Sequence, residues 1–176
     1  LEPPYEPLFA WLEGRAGKPV LAARALFRPV MLANALQEVD AEKLDPADYA
    51  AEWKWDGIRV QLVNEADTRR IYSRTGDDVG ATFPDLLEAM EFEGVVDGEL
   101  LVGSPPGDTR TFSDLQQRLN RKSVTPKILK EHPAHVRLYD VLWLEGRDLR
   151  PLSFDEGRAR LEAWIALKER PRFDLS

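Results

Sequence analysis

The stretch Glu52-Trp53-Lys54-Trp55-Asp56-Gly57-Ile58-Arg59 is the most unusual segment on the chain, a lysine between two tryptophans, then a tight turn and an arginine. A lysine acts as a nucleophile only through its neutral amine, and apolar walls that desolvate the ammonium favour that form. Lys54 lies between two tryptophans that can supply such walls. Arg59, five positions on, offers the planar cationic fork that grips a phosphate. The same residues also suit a surface lysine in a strand ending at a glycine turn. Asp97 and Glu99 are two apart in an apolar stretch, so a strand there projects both carboxylates from one face. Two acids on one face repel unless a cation or donor compensates, as in a Mg²⁺ or ribose contact. The alternative is a strand end where Asp97 is simply solvated. His132 and His135 have ligand-like spacing, but Pro133 lies between them and no third ligand is evident, so they read as structural.

Short strands alternating with helices must position these groups. Tyr49 to Trp55 and Ile58 to Val63 predict two strands around the turn dipeptide Asp56-Gly57. In the second, Ile58, Val60 and Leu62 share one face, with Arg59 and Gln61 on the other. Arg70 to Ser73 and Val95 to Val102 predict further strands, and Val136 to Leu144 a buried one. Helices are predicted from Phe83 to Met90, from a Ser113 cap to about Asn120, after Thr125-Pro126, and from Phe154 to Lys168. Separated helices with strands in hairpin-like order make the fold class α+β. Residues 1–26, proline-rich and then broken by Gly14, Gly17 and Pro19, read as a linker or the tail of an upstream domain; residues 27–176 read as one domain.

The chain has 176 residues, 43% of them hydrophobic, and a formal charge of −7, the balance of one globular domain with a substantial core. It has no cysteine, which excludes disulfides, thiolate metal sites and cysteine nucleophiles. The longest apolar run, Ala163 to Leu167, is too short to span a bilayer. A cytoplasmic monomer without membrane contact is the expectation. Against the acidic total, residues 110–137 hold Arg110, Arg118, Arg121, Lys122, Lys127, Lys130 and Arg137 with only Asp114 and Glu131. That local patch suits either a solvated helix face or a nucleic-acid contact.

Several segments share one resemblance. Lys54-x-Asp56-Gly57-x-Arg59 resembles the nucleotidyl-transfer motif of the ATP-dependent DNA ligases. Ser73-Arg74-Thr75-Gly76, Asp97-Gly98-Glu99-Leu100 and Leu138-Tyr139-Asp140-Val141-Leu142 resemble that family's following motifs, in family order. Phe27 to Ala33 is similar to the opening of the adenylation domain, and Asp114 to Lys122 to a helix of the family's bacterial branch.

The resemblance implies an ATP-grasp-like nucleotidyltransferase domain, with antiparallel sheets and flanking helices, incomplete at its C-terminus. It implies that Lys54 forms a covalent lysyl-AMP, that Glu52 reads the adenine edge and that Arg59 and Arg74 contact phosphate and sugar. Tyr139 stands where the family stacks an aromatic, usually phenylalanine, on adenine. Glu99, with Asp97, is implied at the Mg²⁺ or Mn²⁺ that accompanies ATP. The implied partner is nicked double-stranded DNA in the bacterial nucleoid, for repair, replication or recombination, with Arg118, Arg121 and Lys122 on an accessible helix contacting it. A later glutamate strand, a lysine pair and an oligonucleotide-binding domain are expected in missing parts of the same polypeptide, so the chain alone is expected to fold but to be inactive, with almost no self-adenylation and no nick sealing. The rival readings are an RNA ligase or capping-type nucleotidyltransferase, and a non-catalytic nucleotide- or DNA-binding module.

Overall fold

The computed structural model describes residues 5–17, 25–105, 108–119, 121 and 123–176. β1 (Ile58–Glu65) is antiparallel to β2 (Thr68–Ser73) on one edge and to the central strand β3 (Gly94–Ser104) on the other. β3 pairs in turn with β5 (Ala134–Leu144), which carries β6 (Arg147–Asp148). The short β4 (Asp108–Thr109) pairs β3, and β7 (Phe173–Leu175) adds to β5 in the parallel sense, the one departure from an antiparallel sheet among the described residues.

The sheet is two-faced because side chains alternate along each strand. Val60, Leu62, Val96, Leu100, Val136 and Leu138 point into the main core, which also takes Leu86, Leu115 and Leu161 from the helices. These come from α3 (Pro84–Ala89), α4 (Phe112–Leu119) and α6 (Phe154–Ala166). Ser153 opens α6 with a reciprocal cap, its Oγ accepting from the Glu156 amide while Glu156 accepts from the Ser153 amide. α5 (Pro126–Glu131) starts at a Thr125 cap, as the Thr-Pro pair predicts. α1 (Glu6–Leu12) and α2 (Glu38–Ala41) bury nothing among the described residues.

Three expectations are corrected. Tyr49 to Trp55 is not a strand, because β2 and β3 already occupy both edges of β1 and leave no partner for it. Asp56-Gly57 is therefore no hairpin turn. Ser113 does not cap α4: the helix starts one residue earlier at Phe112, and Thr111 precedes it with its carbonyl accepting from the Asp114 amide. Asn120 and Lys122 lie outside the described residues. Arg118 is not on an accessible face. It is 0% exposed, with Nη2 2.5 Å from Asp85 Oδ1 and 2.9 Å from the Thr82 carbonyl oxygen, and its guanidinium stacks on Phe83. α4 turns its inner face against β3, and the arginine there must satisfy its charge in the interior.

Candidate active site

The second face of the sheet carries the polar residues. Arg59 on β1 stands opposite Glu99 on β3, Glu99 opposite Arg137 on β5, and Arg137 opposite Asp174 on β7. The four side chains make a row of alternating charge across four strands. Beside it, a register shift between Asp97 and Gly98 leaves Tyr139 as the extra residue between Leu138 and Asp140. A bulge of this kind re-aims a side chain without breaking the sheet. Gly98 permits the close strand approach there: a Cβ on it would lie 2.6 Å from the Arg137 carbonyl oxygen.

Residues 25–31 cross this face as a strap. The Arg28 amide donates to Gln61 Oε1 at 2.7 Å, Gln61 Nε2 returns a bond to the Arg28 carbonyl at 2.9 Å, and Tyr72 Oη donates to the Ala25 carbonyl. Glu65 accepts from the Ala25 amide and pairs with the Arg28 guanidinium. Between the strap, the sheet and the start of α6 lies a cleft of about 390 Å³, lined by Met31 from the strap, by Glu52, Arg59, Asp97, Tyr139 and Asp140, and by Phe154 and Gly157 of α6. Four of the sequence-derived candidates thus share one cavity.

Within it Arg59 is held from three sides. Nη2 donates to Asp97 Oδ2 at 2.8 Å, Nη1 donates to the Met31 carbonyl at 2.6 Å, and the guanidinium lies 5.6 Å from the Tyr139 ring centroid. Burial alone works to lower the Arg59 pKa, but the Asp97 hydrogen bond and the negative surroundings raise it on balance, so the arginine stays charged. Asp97 is 1% exposed, with its other oxygen accepting from Gln61. Burial pushes its pKa up, against the pull of Arg59 and Gln61. It is not the solvated strand end that its position permits. Both of its oxygens are engaged by protein donors, and Asp97 aims Arg59. Burial likewise raises the phenol of Tyr139, which keeps its proton and its π-face.

Lys54 and Glu99 are neighbours beside the cleft rather than among its lining residues. Glu99 accepts from the Gly57 amide at 3.2 Å; burial raises its pKa, while that amide, Lys54 and Arg59 oppose the shift. Lys54 is exposed, and the expected tryptophan walls are absent: Trp53 is 80% exposed and Trp55 turns away to Arg137. Arg74 is exposed on the turn after β2, braced by contacts among Ser73, Thr75 and Asp77, and does not line the cleft. Arg121 lies beyond the end of α4, is exposed and donates to the Gln117 carbonyl in that helix. Among the described residues no three acids or histidines converge as a metal cage.

Gln61, Asp140 and Arg137 belong to the site and were not singled out individually. The signal was present: each is a polar side chain within an otherwise apolar strand, which needs a partner when buried.

The sequence model of the family described as ATP dependent DNA ligase domain matches residues 30–175. The chain belongs to the ATP-dependent DNA ligase family. A probable DNA ligase of Koribacter versatilis is 36% identical over 156 residues, covering 80% of this chain and 27% of the relative. A DNA ligase of Methanococcoides burtonii is 32% identical over 147 residues, covering 80% of this chain and 26% of that protein. This ligase-family chain thus spans about a quarter of the length of the curated relatives it matches. Among solved structures, the ligase domain of M. tuberculosis LigD matches with a TM-score of 0.54 at 26% identity, covering 71% of this chain and 38% of that one. A mycobacterial DNA ligase D complexed with ATP and MES matches with a TM-score of 0.53 at 27% identity, covering 70% and 38%. Among the described residues of this ligase-family chain no helix is long and apolar enough to cross a membrane.

Proposed function

We propose that this chain carries the lysine-adenylation chemistry of an ATP-dependent DNA ligase. The observation that carries the reading is the cleft itself: Glu52, Arg59 and Tyr139 line one cavity, with Glu99 standing opposite Arg59 in the sheet and accepting from the Gly57 amide, three residues after Lys54, in a chain of this family. Residues 27–176 are then the first part of the adenylation domain, and the strap at 25–31 is one wall of its nucleotide pocket.

In the proposed reaction the neutral Lys54 amine attacks the α-phosphorus of ATP. A P–N bond forms, the bond from α-phosphorus to the pyrophosphate oxygen breaks, and the amine gives up a proton. The AMP then passes to the 5′-phosphate of a DNA nick, and the 3′-hydroxyl attacks that phosphate and expels AMP. Transfer of this kind depends on positioning and charge neutralisation, which assigns Arg59 to the nucleotide's phosphate or ribose side and Tyr139 to the base. Glu52 meets the adenine edge, and Arg74 joins once nucleotide is bound.

The donor set fits Mg²⁺ or Mn²⁺ held mainly by the triphosphate, since such ions take one or two carboxylates plus substrate phosphates rather than a full protein cage. Glu99 is the carboxylate for it, because one oxygen remains beyond its Gly57 bond, whereas Asp97 is occupied by Arg59 and Gln61. The ion would supply charge neutralisation at the departing pyrophosphate.

Radiolabelled ATP with Mg²⁺, added to this chain and to a ligase-length protein carrying it, tests the reading. An acid-labile AMP adduct that maps to Lys54 in the ligase-length protein, with little or none in this chain alone, is the expected result. Nucleotide binding with no covalent product in either protein would instead make this a non-catalytic nucleotide-binding module.

A further inference from the structure

We propose that Arg137 is a positioning residue for the Lys54 nucleophile, its guanidinium pinned by Asp174 so as to form the platform on which Trp55 rests. The idea rests on the adenylation reading above and extends it to a residue that does not touch the nucleotide cleft.

Residues 49–55 belong to no strand or helix, so neither a sheet ladder nor a helical turn fixes Lys54. Three contacts hold the end of this segment and the turn after it. The Gly57 amide donates to Glu99, and Trp55 packs its ring over Arg137, with the guanidinium carbon 4.1 Å from the ring centroid. The Trp55 indole N–H also donates to Ser176 Oγ at 3.0 Å. These contacts flank Lys54 on its C-terminal side, and Trp55 is its covalent neighbour.

Arg137 suits this task. It is 7% exposed in the middle of β5, and Asp174 holds it through Nε at 3.1 Å from both carboxylate oxygens and Nη2 at 2.6 Å from Oδ2. A guanidinium fixed in plane by a carboxylate presents a flat cationic face to an indole, a geometry that an ammonium does not reproduce. The platform stands next to Glu99 in the transverse row, so a tryptophan seated on it brings residue 54 to the Glu99 side of the cleft. A small displacement of a nucleophile costs rate rather than affinity.

The test compares, in a ligase-length protein carrying this chain, wild type with Arg137→Gln, Arg137→Lys, Trp55→Ala and the Arg137→Gln/Trp55→Ala double variant. Hydrogen exchange of the 52–57 segment reads the loop, and single-turnover labelling with radiolabelled ATP reads the chemistry. For Arg137→Gln and Trp55→Ala we expect faster exchange at 52–57, with β3 and β1 amides still protected. We expect a maximal labelling rate about tenfold or more lower, with the half-saturating ATP concentration unchanged. The double variant should be no worse than the worse single one. Arg137→Lys keeps a charge for Asp174, so the fold is retained even if Arg137→Gln lowers it, but it lacks the planar face and still labels slowly. Unchanged exchange at 52–57 in Arg137→Gln and Arg137→Lys overturns the proposal, as does a change confined to the half-saturating ATP concentration. If wild type shows no labelling at all, the adenylation reading fails, and the exchange comparison alone decides whether Arg137 orders the loop.

Discussion

Arg59 Nη2 lies 2.8 Å from Asp97 Oδ2, and the acid in that pair is 1% exposed while the arginine reaches into the cleft. The pair therefore works as an anchor and an arm. Asp97 also accepts from Gln61, which in turn clasps the Arg28 backbone, so the strap, the anchor and the cleft-facing arginine form one hydrogen-bonded unit.

A pH signature follows from this anchor. Burial raises the Asp97 pKa above its ordinary 3.8, although Arg59 and Gln61 oppose the rise. The folded protein then binds that proton more tightly than the unfolded chain does. Its contribution to stability is greatest at low pH and declines as pH rises from 3.8 through the folded value. Asparagine cannot titrate. The stability of Asp97→Asn minus that of wild type should therefore increase with pH across this window. Glu99, shifted in the same direction, is present in both proteins and drops out of the difference. Urea unfolding of both proteins at several pH values checks this, and a pH-independent difference would mean that Asp97 does not titrate as described.

Lys54 itself should be dispensable for folding. It is exposed and belongs to no strand or helix, and exposed substitutions away from structural features usually change stability by no more than about 0.5 kcal/mol. Lys54→Ala is expected to match wild type in thermal unfolding and to form no covalent adenylate with ATP. An acid-labile AMP adduct formed at the wild-type rate by the variant would remove Lys54 from the reaction.

Most of the strands were legible because alternation and apolar runs report burial directly. Ile58, Val60 and Leu62 do enter the core together, and Val136 to Leu144 is the buried strand that its composition predicts. The segment before β1 misled for a physical reason. Tyr49, Trp53 and Trp55 have strand-like residue types, but a strand needs a free neighbouring edge, and edge occupancy is a property of the whole sheet. Arg118 misled similarly: a charge run looks solvated until Asp85, far along the chain, turns out to be its partner. The ordered motifs pointed to Glu52, Arg59, Asp97 and Tyr139, which share the cleft, and also to Lys54, Arg74 and Glu99, which do not line it. That Asp97 aims Arg59 while Glu99 receives the Gly57 amide required the register and could not be read from spacing.

Arg118 and Arg121 should now separate cleanly by assay. Arg118→Ala leaves Asp85 buried without its bidentate partner, a change that typically costs about 3–5 kcal/mol. Arg172 Nη1 lies 3.2 Å from Asp85 Oδ2 and offsets part of that loss, which favours the lower end. Arg121→Ala touches only an exposed side chain and should leave stability within about 0.5 kcal/mol. If Arg121 contacts a DNA phosphate, its removal reduces the salt slope of nicked-duplex binding by about one unit. Equal urea midpoints for wild type and Arg118→Ala would contradict the buried ion pair, and an unchanged salt slope would take Arg121 off the DNA.

Two glycine-to-alanine changes should act in opposite directions. A Cβ on Gly57 would lie 2.3 Å from the Leu100 carbonyl oxygen and 2.8 Å from Leu101 Cδ2, so the backbone between Lys54 and β1 must shift. Overpacking of that kind typically costs about 1–3 kcal/mol. The shift also pulls the Gly57 amide from Glu99 and moves the segment carrying Lys54. Gly157 stands within α6, where an added Cβ meets nothing within 4 Å. Alanine there should stabilise by roughly 0.5–1 kcal/mol, the usual gain over glycine inside a helix. Urea unfolding measures both changes. AMP labelling under conditions where Gly57→Ala is fully folded then separates loop geometry from stability, with Gly57→Ala slow. Wild-type stability and labelling in Gly57→Ala would show that this residue does not lie packed against β3.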